Sequence, residues 1–145
     1  MTLDKVNSRL LIGHHGNSRY DIYNIDDEGM PVERHAVGSI GASLLGKGFS
    51  TPELNDTDLS WPSGGDIDEI NQRLFVPERA MTSGPGGRIM VFDIRPESLA
   101  ALEPGELPSA IAVIGQPNFN TIDRRSGSAG IGASGQVVVD DERQM

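Results

Sequence analysis

Short apolar runs alternate with polar stretches rich in Gly and Pro along this chain of 145 residues. The runs at 73–76 and 88–94 are short for helices and are rich in Val, Ile and Phe, which favours two strands joined by a turn. Antiparallel pairing of these strands would place alternate residues on one face of a sheet. The residues expected on that face, alternating with more exposed neighbours, are Leu74, Val76, Ile89 and Val91.

The hairpin has a second copy near the N-terminus. Residues 9–25 align with 73–94, at an offset of 64 before the turn and of 69 after it. The later copy therefore has a longer turn, which is where a hairpin tolerates extra residues. Other segments recur in the same order: "LDKVNS" (3–8), "IDEINQ" (67–72) and "VDDERQ" (139–144) are alike, as are "AVGSIG" (36–41) and "AVIGQP" (112–117).

A repeat of 64 to 72 residues that holds four short β runs indicates sheets arranged radially or in a stack. The alternative is chance similarity among β-hairpins. We expect long loops at 42–63 and 117–134, and a single helical turn within 96–108. The expected strands are 9–12, 20–25, 35–40 and 65–68 in the first copy, and 73–76, 88–94, 110–115 and 136–140 in the second.

Composition agrees with a turn-rich β protein. Apolar residues make up 37% of the chain, which also holds 18 Gly and 9 Pro. The 21 acidic residues outnumber the 12 basic ones and give a formal charge of -9, so we expect neither nucleic acid nor an anionic membrane as a partner. The lack of cysteine excludes disulfides, thiolate nucleophiles and zinc–thiolate sites.

The sequence contains no recognisable membrane or export signal. Its apolar runs fall short of the roughly 18 residues of a membrane helix. Residues 1–16 lack the apolar core and the cleavage site of a signal peptide. Either the protein stays inside the cell, or the chain does not begin where the gene product begins and a longer protein could be exported; the compartment therefore stays open.

Three segments match the motifs of a known family of repeats. In "RLFVPE" followed by "GRIMVFDI", one strand ends in an acid and an Arg opens the next, which resembles the signature of the NHL-repeat β-propeller family. "VIGQPNFNT" (113–121) is similar to the Gly-Gln-Pro-Asp-Phe segment of bacterial members, and "SGQVVVDDERQ" (134–144) resembles the innermost strand of a following blade. The resemblance covers nearly the whole chain and is clearest over 64–144. YWTD and lactonase-type propellers use comparable strands.

The resemblance implies an all-β fold of β-propeller blades, each with four antiparallel strands. The chain would supply about two blades, with repeat units near 3–66 and 67–138 and the start of a third at 139. Closed propellers have about four to eight blades, so two blades leave apolar flanks open and a larger, six-bladed ring is expected. The remaining blades would come from a longer protein or from a homo-oligomer of three chains. The isolated chain is therefore expected to aggregate or to form a trimer.

Candidate binding residues lie at the expected strand ends and loops. Arg88 opens one strand and Glu78 closes its neighbour, a cross-strand pair of about 0.2–1 kcal/mol that favours a structural role. In the first copy His14 stands where Glu78 stands in the second, and it is either a solvated loop histidine or part of a central site. Trp61 either anchors its loop or stacks on a sugar or peptide. The residues expected to contact a ligand are His14, Trp61, Asp68 and Glu78, rather than the outer strand 110–115.

The leading function implied by the resemblance is a non-catalytic binding scaffold for proteins, small molecules or carbohydrates, with no cofactor. One alternative is a metal-dependent lactonase or lyase that binds Ca²⁺ or Zn²⁺ on the propeller axis. Calcium takes about six to eight oxygen ligands, more than two blades readily supply. A lectin-like subunit that assembles with itself is a further alternative. The carboxylates expected near the axis are Asp66, Asp68, Asp140 and Asp141.

Overall fold

A computed structural model shows a chain built almost entirely from β-strands. It describes residues 1–41, 54–79, 86–103, 106–121, 131–132 and 135–140. Parts of the predicted loops 42–63 and 117–134 lie outside the described residues. Residues 141–144 of the third copy, including Asp141, also lie outside them. The described residues form two antiparallel sheets, each with four strands in sequential order, as the sequence predicts.

The strands follow the chain order in both sheets. The first sheet consists of β1 (Thr2–Asp4), β2 (Arg9–His14), β3 (Arg19–Asn24) and β4 (Gly38–Ile40). The second consists of β5 (Asp66–Asp68), β6 (Arg73–Arg79), β7 (Gly86–Asp93) and β8 (Ala112–Ile114), and the short β9 (Ile131–Gly132) pairs with β7. The predicted helical turn is confirmed as α1 (Pro96–Ala100), which starts at a proline. Within the described ranges, no helix is long and apolar enough to cross a membrane.

The turns after β1 and β5 have the same local chemistry. The carboxylates of Asp4 and Asp68 accept the backbone N–H three residues later, at 3.1 Å and 2.9 Å. Ser8 and Gln72, which end these turns, adopt left-handed conformations with φ of 51° and 53°. An aspartate that bonds to nearby backbone N–H groups is typical of tight turns. The two copies therefore share their turn geometry as well as their apolar pattern.

Two predicted strands have other partners than expected. The segment 65–68 was expected to end the first copy, but β5 pairs with β6 because the short turn after Asp68 returns the chain directly beside it. The segment 136–140 was expected to be a strand. It forms one parallel bridge, between Gln136 and Gly64, and Val139 N donates to a carboxylate oxygen of Asp66 at 2.9 Å, so its backbone bonds do not form a ladder.

Strand register confirms the alignment of the first three strands in each copy. Arg9 pairs with Asn24 and Arg73 pairs with Asp93, which reproduces the offsets of 64 and 69 read from the sequence. The outer strands differ. Ile40 pairs with Tyr20 and Ile114 pairs with Ile89, so β4 and β8 correspond at an offset of 74, not at the 76 that the match of "AVGSIG" with "AVIGQP" implied.

The prediction of which residues share a face of the β6–β7 hairpin is wrong for β7. Leu74 pairs with Phe92 and Val76 pairs with Met90, so these four residues share a face. Ile89 and Val91 instead pair with Pro77 and Phe75 and lie on the opposite side. Because apolar residues occupy both faces of β7, its sequence pattern does not define which face is buried.

The two sheets pack through unlike faces. The front face of each sheet is defined here as the side that carries Leu11 in the first sheet and its equivalent Phe75 in the second. The back face is the opposite side. The front face of the first sheet packs on the back face of the second and forms the core. Equivalent residues therefore do not meet across a twofold axis, and the sheets follow one another head to tail. The core residues are Leu11, Tyr20, Ile22 and Ile40 on one side, and Ile67, Leu74, Val76, Met90 and Phe92 on the other.

Equivalent positions of β1 and β5 lie side by side along one edge of the stack. Thr2 Oγ1 donates to Asp66 Oδ1 at 3.4 Å, although the two residues occupy the same place in their repeats. Lys5 Nζ lies 3.3 Å from a carboxylate oxygen of Glu69, again its own equivalent. Because both contacts join residues 64 positions apart at two points along the strands, β1 and β5 run in the same direction along this edge.

Candidate functional site

A fully buried ion pair joins the ends of β6 and β7. Arg88 Nε lies 3.2 Å from Glu78 Oε1, and neither side chain is exposed to solvent. The backbone N–H of Ser60 donates to Glu78 Oε2 at 2.7 Å. Arg88 also donates to the carbonyl oxygens of Phe119 and, at 3.5 Å, Asp58. The predicted cross-strand pair is confirmed, and it ties two connecting segments to the second sheet.

Burial sets the protonation of Glu78. The pKa of this carboxyl is raised from 4.5 to about 7, chiefly by burial and to a smaller extent by the charge of Asp58. The guanidinium of Arg88 and the N–H of Ser60 act in the opposite direction because they favour the carboxylate. Because Glu78 is fully buried, a ligand cannot contact it, and its role is to stabilise the site.

This pKa shift predicts a pH dependence of stability. Between pH 4.5 and about 7 the unfolded chain releases the Glu78 proton that the folded chain retains, so the free energy of unfolding falls as pH rises through this window. We expect a loss of roughly 2–3 kcal/mol, measured by urea unfolding at a series of pH values. Glu78→Gln should remove most of this slope, whereas Glu28→Gln in an exposed turn should leave it. An unchanged slope in Glu78→Gln would contradict the assignment.

His14 belongs to a charged cluster on the back face of the first sheet. Its Nε2 lies 3.0 Å from Asp21 Oδ2, and Arg19 Nε lies 2.7 Å from Asp21 Oδ1. His14 and Arg19 pair across β2 and β3 at the register position that Glu78 and Arg88 occupy in the second sheet. The carboxylate has thus moved from β2 to β3. The His14 side chain is 36% exposed, so this cluster is accessible.

Trp61 lies against the neighbouring histidine. The rings of His15 and Trp61 are tilted by 47° with centroids 4.9 Å apart. His15 Nδ1 also lies 3.2 Å from the carbonyl oxygen of Pro62. Pro62 in turn bridges to Glu78 at the end of β6. The structure therefore brings two of the predicted site residues, Trp61 and Glu78, to the segment 60–63, whereas His14 bonds to Asp21 and only its neighbour His15 contacts that segment.

Asp68 lies apart from that group, at the opposite end of β6. It accepts hydrogen bonds from the Asn71 side chain at 2.7 Å and from the N–H of Ile70 at 3.1 Å. Partial burial alone would raise the pKa of Asp68, but these bonds and the charge of Arg73 outweigh it and lower the pKa. Asp68 thus shapes the turn between β5 and β6. Across the described ranges, no three His, Asp or Glu side chains lie close enough to share a metal ion, and Asp141 falls outside those ranges.

A groove of about 670 Å³ opens between the first sheet and α1. One wall comes from β3, β4 and the residue before β4, and the other from α1 and the chain that follows it. Its apolar lining includes Ile22, Val37, Leu99 and Leu102. This groove could not be predicted from the sequence because its walls come from both repeats; the predicted helical turn within 96–108 was the available signal.

Comparison with known proteins adds no relative to this picture. No family model, no curated protein and no solved structure matches the chain. The NHL-type resemblance therefore stays a prediction, and a function has to be argued from the packing and chemistry of the described residues.

Proposed function

We propose that the chain supplies two consecutive blades of an NHL-like β-propeller that serves as a binding scaffold. The observation that supports it most is the head-to-tail packing of the repeats, in which the front of the first sheet covers the back of the second. Propeller blades pack in this way around a ring because each is related to the next by rotation. A twofold sandwich of the same two sheets would bring like faces together.

The back face of the first sheet is more exposed than its covered equivalent. Leu3 is 42% exposed, whereas the equivalent Ile67 in the second sheet is 4% exposed. The same difference runs along the whole face. Half-buried Leu10, Ile12 and Tyr23 correspond to fully buried Leu74, Val76 and Phe92. This face has the composition of a surface that another front face would cover.

The front face of the second sheet is in turn more exposed than the covered front face of the first sheet. Ile114 is 44% exposed, whereas its equivalent Ile40 is fully buried. Arg9 is buried and donates through Nη2 to the carbonyl oxygen of Ile94, the residue after β7, at 2.5 Å. The equivalent Arg73 is exposed. Each open face thus matches the one that is covered in the other repeat, and further blades fit both.

The scaffold would present its connecting segments to a partner. The ring pair of His15 and Trp61 lies in such connecting segments, at the turn between β2 and β3 and in the chain before β5. The cluster of His14, Asp21 and Arg19 lies on the open back face, where the next blade would cover it as the first sheet covers Glu78 and Arg88. Aromatic and hydrogen-bonding groups held in connecting segments suit recognition of a protein, a small molecule or a carbohydrate. A binding role needs only these groups, so no catalytic step is assigned.

Self-association of the 145-residue chain tests the proposed blade packing. We expect light scattering at micromolar concentration to show a closed oligomer, most simply the trimer that makes six blades. Leu10→Asp places a charge on the open back face and should shift the mass towards the monomer, because a buried unpaired carboxylate opposes docking. Val32→Asp, in the exposed connection between β3 and β4, is the matched control and should leave the mass unchanged. A monodisperse 15.5 kDa monomer with one sharp cooperative melting transition would overturn the blade proposal.

A further inference from the structure

The groove between the first sheet and α1 has the dimensions of a small-molecule site. Its volume of about 670 Å³ lies in the range of about 300–1,000 Å³ that is usual for ligand pockets. Both of its walls come from the same chain, so the site does not depend on additional blades. Leu99 packs against the core while it lines the groove, which gives that wall a fixed support.

The positive charge in the groove is already compensated. Arg9 is 7% exposed, and its Nε donates to Asp4 Oδ2 at 2.9 Å. A second guanidinium nitrogen is held by the carbonyl oxygen of Ile94. A guanidinium with these partners has little left to offer an anionic ligand, so the lining does not favour a phosphate or a carboxylate.

The amide donors in the groove are also engaged. The Asn7 side-chain nitrogen donates to Asp4 and to Gln72. The Asn24 side-chain nitrogen donates to Glu33 Oε1 at 3.3 Å. The amide oxygens are the parts of these side chains that best suit a new partner, and they accept hydrogen bonds. Ligand donors are therefore favoured over ligand acceptors.

Two exposed carboxylates line the second wall. Glu103 and Glu106 follow α1 and both contribute to the lining. Glu106 Oε2 accepts the backbone N–H of Glu103 at 3.0 Å. Neither carboxylate forms an ion pair with a basic side chain of the described residues. The chain as a whole has a charge of -9, which adds a longer-range attraction for cations.

We propose that this groove binds an organic cation with an apolar body, such as an arylalkyl amine. The apolar part would lie against Ile22, Val37 and Leu99. The ammonium group would donate to the carboxylates of Glu103 and Glu106, whose charge no basic neighbour among the described residues offsets. Apolar walls supply the affinity, and the carboxylates select the charge of the ligand.

The first experiment compares three probes of one shape. The labelled 145-residue chain is titrated with 4-phenylbutylammonium, 4-phenylbutanol and 4-phenylbutanoate, and amide shifts are followed by NMR. We expect the cation to bind about fivefold more tightly than the alcohol, with the anion weakest. The shifts should centre on Val37, Gly38, Leu99 and Leu102, and the advantage of the cation should shrink at about 1 M salt. Equal affinities, or shifts centred elsewhere, would overturn the proposal.

Variants then distinguish the contribution of the apolar walls to affinity from that of the carboxylates. Gly38 lines the groove, and a Cβ there would lie 3.7 Å from Ile22 Cδ1, an ordinary contact. Gly38→Leu should therefore fill the groove and weaken all three probes at least tenfold. The double variant Glu103→Gln, Glu106→Gln should weaken only the cation, by about fivefold.

A double variant of equal charge change provides the control. Asp27→Asn with Glu28→Gln lies in the exposed turn after β3 and should leave all three affinities unchanged. If this control weakens the cation as much as the Glu103 and Glu106 variant does, the attraction comes from net charge and the proposed site is wrong. The glutamine variants decide the question even if Gly38→Leu fails to fold. Failure of the chain to form an oligomer would not affect this outcome, so the two proposals fail separately.

Discussion

Replacing Arg88 with methionine is expected to lower the free energy of unfolding by about 3–5 kcal/mol. The methionine would leave Glu78 without its ionic partner in a fully buried position, and the carbonyl oxygens of Phe119 and Asp58 would lose a donor. A loss of this size is a large share of the roughly 5–15 kcal/mol that holds a typical domain together. Urea unfolding at pH 8, where Glu78 is mostly ionised in the folded chain, would measure it.

Arg79→Met is the matched control for that substitution. Arg79 follows Glu78 in β6, but its side chain is exposed and its bonds to Ser60 come from the backbone. Its loss should change the free energy of unfolding by less than about 0.5 kcal/mol. Similar effects of the two substitutions would contradict the buried pair. The double variant Glu78→Leu, Arg88→Met should recover part of the stability, because it leaves no uncompensated buried charge.

Phe92→Ala is expected to cost about 3–5 kcal/mol of unfolding free energy. Phe92 is fully buried between the sheets, on the back face of β7, where it pairs across the strands with Leu74. Truncation would leave a cavity that the sheets cannot close without moving relative to each other. Denaturant unfolding with a slope unchanged from the parent chain would show that the loss lies in the folded state.

Phe75→Ala is the control that tests which face of the hairpin is buried. Phe75 lies in the same hairpin but on the front face, where it is only half-buried. Its truncation should cost clearly less than that of Phe92, by about 1–2 kcal/mol, because less area leaves water. The reverse order would show that the front face of the hairpin is the buried one and would contradict the packing described above. The comparison should be made at a concentration at which the chain does not associate, since a docked blade would bury Phe75 as well.

Local pattern was enough to predict the hairpins. The runs around Leu74 and Val91 are short, β-branched and bounded by turn residues, and these are properties of neighbouring residues. Repetition extended that information, because the offsets of 64 and 69 matched equivalent residues of the two hairpins before any contact was known, and the strand pairing confirms this match. The ion pair of Glu78 and Arg88 followed from the same alignment, since facing strand ends are set by turn length.

The candidate sites needed information that no local pattern carries. His14 was predicted, but its partners Asp21 and Arg19 were not, because the acid stands on β3 in this copy and on β2 in the other. The groove was missed since Val37 and Leu99 are far apart in sequence and meet only when the sheets pack. The burial of Glu78 was also out of reach, because cover from the segment 58–63 depends on the path of a loop.

The amino-acid sequence by itself determined the two central hairpins, β2–β3 and β6–β7, and the repeat, because turn residues, chain connectivity and alternation act over a few neighbours. Only the tertiary structure decided which face of β7 is buried. Ile89 and Val91 are as apolar as Met90 and Phe92, so hydrophobicity gives no preference, and the choice is made by whichever face meets the first sheet. Head-to-tail packing is likewise a property of two sheets together, since shape complementarity between surfaces does not exist in either repeat alone.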